Sequence, residues 1–289
     1  GDEARPADPY PVSADYRGDA DKNGKLSYFE AHPEWYGLIK GKRSPRIDGD
    51  FGDNFCTSNP EAMAEFMKNA VRDLADGRYK DANVINAWTL DVGNWCECEN
   101  CRTLGPTTDR NLLFVHAYAK AVKKAQAEKV INRPIRLLFL AYADVIDPPT
   151  RPLPADFDYD MCIASFFPIV RCYVHKFDEP GCSVNGKYKK SFDGWFTDPA
   201  RHYRGQACIG EYYNVSGTKC LPVGFSHTMA HDIPYYFGSG ARHFHYMHTP
   251  TSLWGTWTVN QHLLARLLWN PDANVDSLLH DYFRLYYPT

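Results

Sequence analysis

The feature that most constrains this chain is a repeated exchange between two hydrophobic periods. Asn83 to Leu90, Arg136 to Ala143, Met161 to Phe167, Ala207 to Tyr213 and His243 to Met247 are short, nearly continuous apolar runs. Runs of that length without alternation suit strands buried on both faces. Helical patterns lie between most of them. Asn59-Pro60-Glu61 supplies an N-cap and a proline in the first turn, followed by an apolar stripe of Ala62, Phe66, Val71 and Leu74 that ends at Gly77. A second helix starts near Asp109 and carries Phe114, Tyr118, Ala121 and Val122 on one face. Others are predicted around Trp195 to Tyr203, His227 to Tyr236, Val259 to Trp269 and Asp276 to Tyr286. Strand alternating with helix calls for parallel pairing through right-handed crossovers.

With a short strand at Phe55 to Thr57 included, the chain offers about six βα units where a closed barrel has eight. The predicted fold is therefore α/β, a (β/α)8 TIM-barrel-like architecture lacking its first strands in this chain. Residues 1–48 are rich in Pro, Gly, Asp and Arg and read as a loop-rich segment with one short helix near Tyr28 to Tyr36; the barrel occupies 49–289. An open doubly wound sheet would suit the same alternation, but no Gly-x-Gly-x-x-Gly turn follows the first strand and no phosphate loop occurs, so nucleotide cofactors lose their usual cradle.

Charge narrows the partners. Lys plus Arg number 32 against 35 Asp plus Glu, a net charge of −3, which leaves no excess of cations to neutralise a phosphate backbone, so nucleic acid is not expected. No run approaches the roughly 20 apolar residues of a membrane span, and the first residues hold no apolar signal core, although a removed leader leaves no trace. Aromatic residues make up 15% of the chain, more than a core needs, which points to rings lining a surface or cleft.

Three sets of residues could hold a metal. Asp19, Asp21, Asn23, Lys25 and Glu30, with Gly24 at the sharp turn and Ser27 at the ninth position, reproduce the spacing of a calcium loop, in which Lys25 contributes only its backbone carbonyl. An acidic solvated turn fits the same residues. Cys96, Cys98 and Cys101 crowd three thiols just after a strand and could converge on Zn²⁺, with a fourth ligand from Cys56, Cys162 or His116; a local disulfide or simple packing is the alternative. Nine cysteines cannot all pair, and Cys172 with Cys182 could close a loop disulfide in an exported protein. His243 and His245 share a strand face, with His248 beyond the strand's end, which suits ligand binding better than a metal triad.

Barrel chemistry sits at the C-terminal ends of strands. Those ends carry Asp91, Tyr142 with Asp144, Phe166 with Phe167, Glu211 with Tyr212 and Tyr213, and His245 with His248. Glu211 follows an apolar run and precedes two tyrosines, so partial desolvation is expected to raise its pKa and fit it as a general acid. Asp91, beside Asn94 and Trp95, is the more polar partner. One raised and one ordinary carboxyl are what glycosidic cleavage requires. Either could instead cap a helix or pair with an arginine such as Arg242. Asn94, Trp95, Tyr142, Tyr212, His243, His245 and Trp254 are the expected substrate-binding residues, the aromatic ones offering flat faces for the C–H side of a sugar ring.

The segment Glu30-Ala31-His32-Pro33-Glu34-Trp35-Tyr36, then Asn59-Pro60-Glu61, the Asp91 to Cys101 block and the late Ala265-Arg266-Leu267-Leu268-Trp269-Asn270-Pro271 together resemble domain-of-unknown-function family 4838. The resemblance runs from about Phe29 to Tyr287 and is most specific at Trp95-Cys96-x-Cys98-x-x-Cys101. That family is similar to glycoside hydrolase family 163, whose activity is endo-β-N-acetylglucosaminidase action on complex N-glycans, and is distantly like the α-glucuronidases in having a barrel. The resemblance implies further barrel strands ahead of the His-Pro-Glu segment. It also implies a Glu where this chain has the strand ending His243 to His248. The expectation is a secreted, periplasmic or cell-surface glycoside hydrolase with a glycan substrate, Glu211 as acid and Asp91 orienting or stabilising the reacting sugar, with no cofactor needed for the chemistry beyond structural Ca²⁺ and Zn²⁺. A noncatalytic carbohydrate-binding barrel, an α-glucuronidase-like enzyme and a metal-dependent hydrolase using the late histidines are the alternatives.

Overall fold

The computed structural model describes residues 28–45, 47–48, 51–91, 93–213, 223–247 and 254–287. Asp19, Asp21, Asn23 and Lys25 of the calcium loop and His248 lie outside them; Glu30 falls on the short helix Tyr28–Ala31, but its side chain is likewise outside the description. The protein is mixed α/β and separates into two compact units, Gly1–Val145 with Pro149–Cys162, and Ile146–Pro148 with Ile163–Thr289. Its parallel strands, Val84–Asn86, Arg136–Ala141, Cys162–Phe166, Ala207–Glu211 and Ala241–Tyr246, come in chain order.

In the first unit β1 (Leu38–Ile39) and β2 (Lys42–Arg43) form an antiparallel hairpin. Lys40 and Gly41 both have positive φ, 49° and 75°, the backbone of a two-residue hairpin turn whose twist matches its strands. A second small hairpin joins β3 (Ile47–Asp48) to β4 (Phe51–Gly52). Thus part of the segment expected as loop is ordered hairpin. The helix Pro60–Ala75 begins as the sequence indicates: the Asn59 side chain accepts from the backbone N–H of Glu61 and Ala62, both at 3.0 Å. It packs on the helix Thr107–Ala127 through Phe66, whose ring meets Phe114 edge-on at 5.0 Å. β5 (Val84–Asn86) pairs in parallel with β6 (Arg136–Ala141).

Phe55 to Thr57, expected as a strand, is not one. There the Cys56 N–H bonds to the Trp35 carbonyl at 2.7 Å and the Phe55 ring stacks on Phe66 at 5.6 Å, so the segment serves side-chain packing rather than a ladder. β5 is also shorter than the apolar run that predicts it: after one further bond to β6, from the Ala87 N–H to the Leu138 carbonyl at 2.7 Å, residues 88–90 lie outside the strand.

In the second unit β7 (Cys162–Phe166), β8 (Ala207–Glu211) and β9 (Ala241–Tyr246) pair in parallel. Every residue of β7 and β8 is buried, which explains their unbroken apolar sequence. The helix expected at 195–203 lies earlier, at Ser183–Phe192, and runs on into a single wide turn, Asp193–Thr197. Asp198 ends it with ψ of 128°, the extended backbone a residue adopts before proline, here Pro199. The helices Ser226–Gly238, Trp254–Trp269 and Val275–Tyr286 agree with the periodic patterns.

One close approach tests the packing of β8. A Cβ added at Gly210 would sit 1.9 Å from the Phe167 ring, itself buried. Gly210→Ala is expected to cost about 1–3 kcal/mol, the range for overpacking a filled core. A urea unfolding midpoint equal to wild type would show that Phe167 swings aside instead.

Candidate active site

The C-terminal ends of β5 and β6 bring two carboxylates into electrostatic reach. Asp91 lies in a turn five residues after the end of β5; Asp144 follows β6 in a 3₁₀ turn, Ala143–Val145. Ala143 has φ 45°, a left-handed conformation that costs a non-glycine residue roughly 1–2 kcal/mol. That strain sits between Tyr142 and Asp144, where the chain turns off its strand to aim the carboxyl. The Val145 N–H to Tyr142 carbonyl bond, 2.9 Å, and a hydroxyl bond from Thr107 to the Asp144 carbonyl fix the turn.

The Trp95 indole N–H donates to the Asp144 carboxylate. Burial pushes the Asp144 carboxyl above the ordinary aspartate range, and the charge of Asp91 pushes the same way, against the Trp95 hydrogen bond. One oxygen of Asp91 is buried with no hydrogen-bond partner among the described residues. Asn54 holds the intervening loop: its side chain accepts from the Leu90 N–H at 3.3 Å and donates to the Asn94 carbonyl at 3.2 Å, while the Asn94 side chain, exposed, bonds Asp53 at 2.8 Å. A Cβ at Gly93 would lie 2.7 Å from the Asn54 amide, so glycine lets that brace close.

The first unit holds a cavity of about 350 Å³ that Trp95 reaches, while Asp91 and Asp144 themselves are not in its lining. Trp35, Tyr36, Phe66, Trp88 and Trp95 line it, with Leu90 next to Asp91. Eight of its eighteen lining residues are aromatic and its volume is in the size range of ligand sites, so part of the aromatic excess of this unit goes there.

Glu211 has a different setting from the one its sequence suggests. It is fully buried at the end of β8. One oxygen accepts from the Tyr236 hydroxyl at 2.6 Å and lies 2.9 Å from the Arg171 Nε; the other accepts from the Tyr173 hydroxyl at 2.7 Å. Arg171 also bonds Asp232 at 2.7 Å, and its guanidinium lies 4.1 Å from the Tyr173 ring centroid. The Phe177 N–H donates to the second Asp232 oxygen at 2.8 Å. A carboxylate so enclosed has a cation and two hydroxyl donors in place of solvent, which suits a structural group and not an acid that must meet a sugar. The arginine is Arg171; Arg242 bonds the Phe237 and Ala241 carbonyls instead. Burial, and then the Glu211 charge, push the hydroxyls of Tyr173 and Tyr236 well above the ordinary tyrosine range, so both remain donors.

The other predicted residues are distributed unevenly. Tyr212 is buried, with its ring 6.2 Å from Phe167. His243 and His245 are both exposed on β9, sharing a face as their spacing requires; His243 lies 2.8 Å from the Gln206 side chain and His245 5.9 Å from the Phe167 ring. Trp254 begins a helix, with its side chain outside the description. Cys172 and Cys182 carry no bridge; the Cys172 sulfur is 3.3 Å from His175. Cys96, Cys98 and Cys101 converge, and Cys56 joins them. Of the three fourth-ligand candidates, Cys162 is buried on β7 and His116 faces Asp156 at 3.2 Å, outside that group. No helix among the described residues is long and apolar enough to cross a membrane.

A family model described as a domain of unknown function, number 4838, matches residues 23–289. No curated protein and no solved structure matches the chain.

Proposed function

The chain belongs to domain-of-unknown-function family 4838, and from the carboxylate pair at its first two parallel strand ends we propose that it is a glycoside hydrolase whose general acid is Asp144 and whose second carboxylate is Asp91. The observation that carries this reading is the placement of Asp144, turned off its strand by a left-handed alanine, within reach of the charge of Asp91 and held by the indole of Trp95, a residue that lines the cavity. The scaffold we propose is part of a (β/α)8 barrel, in agreement with parallel strands taken in chain order and chemistry at their C-terminal ends. Glu211 drops out as the acid because its oxygens are committed to Arg171, Tyr173 and Tyr236.

The chemistry follows from the two environments. Asp144, kept protonated to higher pH, delivers its proton to the glycosidic oxygen as the bond to the anomeric carbon breaks. Asp91, with an uncommitted oxygen, faces the positive charge that builds on that carbon, or orients a substrate acetamido group that attacks in its place. Water completes the hydrolysis. Trp95 both aims the acid and offers its ring to the sugar. The substrate class is a glycan containing N-acetylhexosamine or uronic acid, met outside the cell.

The sign of the pH dependence is fixed. The acid must be protonated, so kcat/KM is expected to fall as pH rises through the Asp144 pKa, at a pH above the ordinary aspartate range. A pH–rate profile whose only loss of activity on the alkaline side persists in Asp144→Asn would remove Asp144 from this role. Binding of glycans with no release of reducing ends would favour the noncatalytic reading.

A further inference from the structure

We propose that Cys56, Cys96, Cys98 and Cys101 together hold one Zn²⁺ ion in a structural site behind the catalytic loop. The four sulfurs all lie within 4.8 Å of one another. Cys56 Sγ is 3.7 Å from Cys101 Sγ and 3.8 Å from Cys98 Sγ. A tetrahedron of sulfurs around zinc, with bonds of about 2.3 Å, has edges of about 3.8 Å. The cluster therefore has the dimensions of a ZnS4 site, and its sulfurs stand nearly twice the roughly 2.05 Å of a disulfide apart. Cys56, Cys96 and Cys101 are buried, as a closed structural site requires, and Leu38 packs against them as their hydrophobic neighbour.

The surroundings fit thiolates. The Leu38 N–H donates to Cys96 Sγ at 3.2 Å and the Cys101 N–H to Cys98 Sγ at 3.4 Å, so backbone donors meet two of the sulfurs. The Ser58 hydroxyl lies 3.1 Å from Cys101 Sγ, 3.4 Å from Cys56 Sγ and 3.6 Å from Cys98 Sγ. Arg43 places a cation against the Cys56 sulfur, and Arg110 bonds the Cys96 carbonyl at 3.0 Å. Four thiolates around a divalent ion carry two net negative charges, which these donors and cations offset.

The ion also has mechanical work to do. The segments it would join, residues 51–58 and residues 94–101, have little regular structure of their own and meet through a short bridge of two backbone bonds, Asn94 N–H to Gly52 O and Asn54 N–H to Asn94 O, both at 2.9 Å, with the β1–β2 hairpin added by Glu97 N–H to Leu38 O at 2.7 Å. Cys96 follows Trp95 directly, so the metal would anchor the loop that presents the indole to Asp144. Small, irregular units of this kind commonly depend on a metal for stability.

The test is metal content of the whole protein purified under reducing conditions, by elemental analysis, together with a Co²⁺-substituted sample. About one zinc per chain is expected, released when a mercurial blocks the thiols, and Co²⁺ should give the absorption of tetrahedral thiolate ligation. Cys98→Ser is expected to lower the zinc content at least tenfold. Should that variant fail to fold, the Co²⁺ spectrum of the wild type decides alone. Folded protein without zinc that stays metal-free after incubation with Zn²⁺ would overturn the proposal, as would stoichiometric iron or a mass two units lower per bridge under denaturing conditions, showing disulfides in place of ligands.

Discussion

Asp144→Asn is expected to lower glycan turnover by about 10²–10⁴, the usual contribution of a positioned general acid, with little change in glycan binding. The amide keeps the size of the side chain and can still accept from the Trp95 indole, so the loop geometry survives while the transferable proton does not. The same change should stabilise the fold near neutral pH. Burial raises the folded-state pKa of Asp144, so the folded protein binds this proton more tightly than the unfolded chain, and wild-type stability falls as pH climbs from the ordinary aspartate value through the raised one. The variant lacks that loss. Turnover down and urea midpoint up at neutral pH is the combination that marks a strained functional carboxyl; a variant that loses both would mark a structural one.

Arg171→Met is expected to remove about 3–5 kcal/mol of stability, a large share of the roughly 5–15 kcal/mol that holds a typical domain. Arg171, Glu211 and Asp232 are all fully buried, and the arginine is the only cation among the contacts of the two carboxylates described above. Removing it leaves two like charges in the core with only the hydroxyls of Tyr173 and Tyr236, the Phe177 N–H and the half-exposed His231 to answer them. The Asp232 carboxyl is already pushed up by burial, so the deficit should shrink in acid, where that group takes a proton. Urea denaturation of Arg171→Met beside a triple variant that also carries Glu211→Gln and Asp232→Asn would check the cause. Partial recovery in the triple variant is expected; an equal or larger deficit would place the loss in packing against Tyr173 and not in charge.

The contrast between these carboxylates shows what was legible in the sequence. Period and caps were local, so the helices from Pro60, Thr107, Ser226 and Val275, and the buried strands β7 and β8, follow from neighbours within a few residues. The apolar flank of Glu211 correctly signalled burial. It could not signal Arg171, forty positions earlier, which turns a desolvated carboxyl into half of an ion pair. Asp144 stood at a strand end with nothing nearby to single it out, and only the fold supplies the burial and the Trp95 contact. Cys56 was one of three possible fourth ligands, because convergence on Cys96, Cys98 and Cys101 depends on a hairpin contact, Leu38 with Cys96, that no spacing encodes.

The most direct measurement is release of reducing ends from a panel of N-acetylhexosamine and uronic-acid glycans by wild type, Asp144→Asn and Glu211→Gln, each assayed below its unfolding transition. The account predicts release by the wild type, loss of about 10²–10⁴ in Asp144→Asn, and turnover in Glu211→Gln that is retained wherever the variant is folded. Turnover kept in Asp144→Asn and lost in a folded Glu211→Gln would contradict it.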